Sequence, residues 1–74
     1  MSDNHNELKA TILGFLKDNK EAASMNFTSF HEALTKIAPV TRAEVAVTAT
    51  LMELNGAIQI TKDEEGRGLG FALP

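Results

Sequence analysis

Few side chains in this chain can do chemistry. It has no cysteine, which excludes thiolate zinc sites, thiol nucleophiles and disulfides. His5 and His31 are the side chains whose ordinary titration lies near neutrality. His5 falls in a polar N-terminal stretch expected to be frayed. His31 adjoins Glu32, and neighbours in a helix point to different sides, whereas a helical ligand pair needs i,i+3 or i,i+4 spacing. No metal site is expected from them, and a solvated place on a helix surface is the commoner role for such a histidine. Gly66-Arg67-Gly68-Leu69-Gly70 is rich in glycine, but no helix follows it before Pro74. A phosphate-cradling loop needs that helix, so the run reads as a turn with close strand packing. No catalytic residue and no cofactor are expected, and the chain reads as a non-enzyme.

The elements that must position these residues are small. The chain has 74 residues, 43% apolar and 23% charged, enough for one domain of marginal stability and too few for both a core and a deep active-site cavity. Net charge is -3, with four Lys/Arg against five Asp/Glu in residues 1–40 and three against five in residues 41–74. Neither half is a basic patch. The polar start lacks the apolar run of a signal peptide, no stretch suits a membrane span, and the lack of cysteine fits a reducing, cytoplasmic setting.

Hydrophobic spacing predicts three helices and then a hairpin. Residues 1–6 read as a flexible tail and residues 7–74 as the domain. Over 7–18, Leu8, Ile12, Phe15 and Leu16 form one helical stripe, with Asn4 or Asn6 as its cap. Residues 20–24 read as a connection that the alanines could make helical. A short extended piece, Met25-Asn26-Phe27, leads to Thr28 or Ser29 as the next cap. Phe30, Ala33, Leu34, Ile37 and Ala38 then form a second stripe, ended by Pro39.

The third helix opens on Thr41-Arg42-Ala43-Glu44, a capping box in which hydroxyl and carboxylate each satisfy the other residue's backbone amide. It runs to residue 54 or 55, where Gly56 supplies a left-handed stop. A wheel at about 100° per residue puts Ala43, Val47, Leu51 and Leu54 on one face and Val45, Ala49 and Met52 on another. Such a helix is either nearly buried or keeps one strip for a partner. After Gly56 the period becomes two. Residues 57–61 and 69–73 read as paired strands around the turn at 63–68, with Ile58 and Ile60 on one face and Leu69, Phe71 and Leu73 on the other strand's inner face. The expected core is Leu8, Ile12, Phe15, Phe30, Leu34, Ile37, Val47, Leu51, Ile58 and Phe71.

This order resembles the winged helix-turn-helix class, an α+β fold in which three helices are followed by a C-terminal β-hairpin wing. The likeness covers nearly the whole chain from residue 7. Its most specific piece is Leu51-Met52-Glu53-Leu54-Asn55-Gly56-Ala57-Ile58, similar to the passage from recognition helix to wing. A single residue, Asn55, separates Leu54 from Gly56, fewer than is common in the class. The resemblance implies that Met25-Asn26-Phe27 pairs with the wing strands. It also implies a small double-stranded-DNA-binding protein, a transcriptional or replication-type regulator. Its contact residues would be Thr41, Arg42, Val45 and Thr48 in a major groove and Lys62 and Arg67 on the wing. Against this stand the acidic balance and the carboxylates Asp63, Glu64 and Glu65 beside the wing tip. The alternative is a protein-interaction or dimerisation module without DNA contact, using Val45, Ala49 and Met52 as its strip. A positive outer face on the third helix would favour DNA, and an apolar or negative one would favour protein.

Overall fold

Hydrophobic periodicity and helix-terminating residues divide the chain much as expected. The computed structural model describes residues 2–74, with side chains from residue 6 onward; the His5 side chain lies outside them. Helix α1 spans Ser2–Asp18, a 3-10 helix follows at Lys20–Ser24, and α2 spans Phe27–Thr35. Helix α3 spans Arg42–Leu54, β1 Gln59–Lys62 and β2 Gly68–Ala72. Three helices thus precede a two-stranded antiparallel C-terminal hairpin, an α+β domain consistent with a winged-helix layout.

Helix α1 buries Leu8, Ile12, Phe15 and Leu16, the expected stripe. It begins at Ser2, so Asn4 and Asn6 lie within the helix and neither occupies the capping position. The chain then tightens at Asn19, whose backbone and side-chain amides both donate to the Phe15 carbonyl at 2.8 and 3.0 Å.

Two expectations for the next segment are corrected. Asn26 caps α2, its Oδ1 accepting from the Ser29 amide at 2.8 Å, because the helix starts at Phe27, ahead of Thr28 and Ser29. For the same reason Met25-Asn26-Phe27 is no third strand: the sheet has two strands, and the 3-10 helix packs against β2. Gly70 permits that approach, since a Cβ there would collide with the Ala23 carbonyl oxygen and stand 2.9 Å from its carbon. Helix α2 also stops at Thr35, four residues before Pro39, and the following turn leaves Ile37 exposed instead of in the core.

The core is organised by the four phenylalanines. Phe30 stacks on Phe71 with ring centres 4.0 Å apart, Phe15 meets Phe30 edge-on at 5.7 Å, and Phe27 lies 6.4 Å from Phe71. Helices α1 and α2 are thereby tied to the second strand of the hairpin.

Strands β1 and β2 pair Gln59 with Ala72, Ile60 with Phe71 and Thr61 with Gly70, and a bulge then sets Lys62 opposite Gly68. Ile58 and Phe71 are buried and Ile60 partly so, but Leu69 and Leu73 are exposed. At the tip, Gly66 takes φ +84°, and the Asp63 carboxylate accepts from the Glu65 and Arg67 amides at 2.9 and 2.8 Å. Those amides, that of Arg67 foremost, together with the Arg67 guanidinium, lower the Asp63 pKa.

Candidate interaction surfaces around the third helix

Both ends of α3 are determined by local chemistry. Thr41 Oγ1 accepts from the Glu44 amide at 3.1 Å, and Glu44 Oε1 accepts from the Thr41 amide at 2.9 Å. These bonds complete the capping box and hold the Glu44 carboxyl below its usual range. At the other end Gly56 adopts φ +78°, its amide donates to Glu53 at 3.0 Å, and the Ala57 amide donates to Met52 at 2.8 Å. This is the Schellman pattern, which turns the chain back across the Met52 side of the helix. The hairpin is thereby laid over the strip that contains Met52.

That reversal decides which apolar strip is core. Val45, Thr48, Ala49 and Met52 are buried, so Val45, Ala49 and Met52 are not a partner or dimer strip. Val45 and Thr48 are for the same reason unable to enter a DNA groove. Val47 and Leu51, expected in the core, instead face outward with Leu54, at 56, 40 and 75% exposure. Exposed Ala43 continues the same face at the N-terminal end.

The other expected contact residues are all exposed, and three of them meet. Arg42, Lys62 and Arg67 line one groove of about 600 Å³ between the start of α2, α3 and the hairpin. Phe27, Ile60 and Phe71 contribute to its apolar floor. Arg42 is held by neutral groups: its guanidinium carbon lies 4.9 Å from the Phe27 ring centre and Nη1 donates to Thr28 Oγ1 at 3.2 Å. Lys62 Nζ pairs with Glu53 Oε1 at 3.1 Å. Arg67 pairs through Nε with Asp63 at 2.9 Å and through Nη2 with Glu65 at 3.2 Å. Thr41 stands apart from this groove, its hydroxyl committed to the cap.

His31 Nε2 donates to the Val40 carbonyl at 3.0 Å and its ring stacks on Phe27 at 6.4 Å, bracing the connection between α2 and α3. Among the described residues no cluster of His, Asp and Glu could hold a metal ion, and no helix is long and apolar enough to cross a membrane.

Sequence reasoning found the groove cations but missed the outer face of α3. The signal for that face was the position of Gly56. In a Schellman ending the residue three before the cap meets the returning chain, and here that residue is Met52 and not Leu51 or Leu54. Comparison of the chain with protein-family models, with curated proteins and with solved structures finds no match in any of the three.

Proposed function

We propose that the chain is a protein-interaction module of winged-helix layout that docks through the outer face of α3. The observation that carries this reading is the row Val47, Leu51 and Leu54, more than a third exposed at every position and spaced i, i+4, i+7. That spacing is how a helix presents anchors to an apolar partner surface. Single exposed apolar residues are commonplace, whereas a contiguous row of them marks an interface. The outer face is apolar, with Glu44 beside it, where a helix reading DNA would carry donors and positive charge.

A second reading, a DNA-binding regulator, is favoured by the convergence of Arg42, Lys62 and Arg67 on one groove. Phosphate affinity grows with the number of cations free to release counterions. Lys62 and Arg67 already face carboxylates, and the chain carries a net charge of -3. This weakens the DNA reading relative to the first.

Two assays separate them. Immobilised wild type and Leu54→Glu are compared for retained proteins, and any protein lost from the variant is purified and titrated directly. In parallel, wild type and Glu64→Lys/Glu65→Lys are titrated against a mixed-sequence duplex at low and high salt. Direct binding that Leu54→Glu abolishes, with no DNA binding at low salt, is expected. Salt-sensitive DNA binding that Arg42→Ala/Arg67→Ala removes and Leu54→Glu leaves intact would overturn the proposal.

A further inference from the structure

The outer face of α3 has a graded shape. On a wheel at about 100° per residue, Ala43, Leu54, Val47 and Leu51 fall within an arc of about 80°, and Ala43 and Leu54 lie about 17 Å apart along the axis. The smallest residue is at the N-terminal end and the most exposed leucine at the C-terminal end. Glu44 and Asn55 border the arc on one side, Thr50 and Ala46 on the other.

Resting on the reading of this face as an interface, we infer that its occupant is a second copy of the chain, with the two α3 helices packed antiparallel about a twofold axis. In that arrangement Val47 lies against Leu51 of the other copy and Ala43 against Leu54, so each contact joins a larger to a smaller side chain and the seam has even thickness. Parallel packing would set leucine on leucine at one end and alanine on alanine at the other, leaving a wedge. The bordering groups discriminate in the same direction. An antiparallel twofold brings like borders together end for end, so Glu44 meets the Asn55 amide of the other copy. A parallel pair would bring unlike borders together and set Glu44 beside Ala46 of the other copy, with no donor to meet it. One Glu44 oxygen is already engaged by the Thr41 amide, and the other is left to accept from that Asn55. Antiparallel helix dipoles add to the preference.

The area sets the strength. A helix face about 17 Å long and about 10 Å wide offers a few hundred Å² per copy, below the roughly 800 Å² per partner of standard stable interfaces. The dimer is therefore weak and reversible, formed only as the protein is concentrated. Each copy carries a net charge of -3, so added salt screens their repulsion and tightens the pair, the opposite of the salt dependence of DNA binding.

Because the chain has no cysteine, the test uses the 74-residue chain with single introduced thiols. Sedimentation equilibrium of wild type from micromolar to millimolar concentration is expected to show monomer and dimer, with more dimer at high salt. Leu54→Glu, folded by circular dichroism, is expected to weaken association about tenfold or more. Under mild oxidation, a mixture of Ala43→Cys and Leu54→Cys chains is expected to form the mixed disulfide in preference to either homodimer. A wild type that stays monomeric at millimolar concentration would overturn the second copy as occupant, as would a dimer that Leu54→Glu leaves unchanged. Predominant cross-linking of Leu54→Cys to itself would overturn the antiparallel arrangement. A monomer that still captures another protein through Leu54 defeats this inference alone; loss of that capture as well defeats the reading of the face.

Discussion

Exchanging a glutamate into each strip of α3 separates core from surface. Met52 is 1% exposed and belongs to the central apolar cluster. A carboxyl placed there must stay neutral at pH 7 against an ordinary pKa of about 4.3, which costs about 4 kcal/mol. Lost burial of the thioether side chain adds about 1.5–3 kcal/mol. At about 0.05–0.15 kcal/mol per residue the whole domain holds about 4–11 kcal/mol, and a domain this small sits toward the lower end, so a loss of about 5.5–7 kcal/mol should unfold Met52→Glu at neutral pH. Leu54→Glu removes a mostly solvated side chain and sets an acid in the last helical turn; the two effects together stay below about 1.5 kcal/mol. Thermal denaturation by circular dichroism at low micromolar concentration should show no cooperative transition for Met52→Glu. A drop of no more than about 10 °C is expected for Leu54→Glu. Met52→Leu, which conserves volume, should stay within about 1.5 kcal/mol of wild type. A well-folded Met52→Glu beside an unfolded Leu54→Glu would show that the strips are assigned the wrong way round.

Other substitutions test the supports of this arrangement. Gly70→Ala drives a methyl into the Ala23 backbone carbonyl; a loss at the upper end of about 1–3 kcal/mol is expected in urea denaturation, and an unchanged midpoint would contradict the close packing of β2 on the 3-10 helix. Thr41→Ala removes half of the capping box and should cost about 1 kcal/mol, with faster amide exchange in the first turn of α3. The Asp63 pKa is lowered by the Arg67 and Glu65 amides and by the Arg67 guanidinium, so its stabilisation of the hairpin tip is present above the unfolded carboxyl's pKa. It is lost as pH falls through the lower folded value. Protection of those two amides, taken as their exchange rate against the intrinsic rate at each pH, should therefore fall in acid for wild type, and Asp63→Asn should lose that fall.

What could be read directly from the sequence was what depends on neighbouring residues. The capping box at Thr41 and Glu44, the stop at Gly56 and the change to period two after it are each written within a few positions, and each forms as expected. The choice between the two strips of α3 depends on where the hairpin lies, and Thr48 makes the buried strip the less apolar of the two by composition. Asn26 took the cap from Thr28 and Ser29 because α2 begins one turn earlier than its apolar stripe, a difference that the stripe itself does not encode. The meeting of Arg42, Lys62 and Arg67 followed from the expected layout. The pairing of Lys62 with Glu53 did not, since it joins α3 to β1 across the turn at Gly56.

The most direct test of the interaction surface is an amide chemical-shift map recorded while the wild-type protein is concentrated from micromolar to millimolar. Concentration-dependent shifts confined to the outer face of α3, at Ala43, Val47, Leu51 and Leu54, and absent from Leu54→Glu, are the expected result. Shifts centred on Arg42, Lys62 and Arg67, or on the hairpin with α3 unmoved, would contradict it.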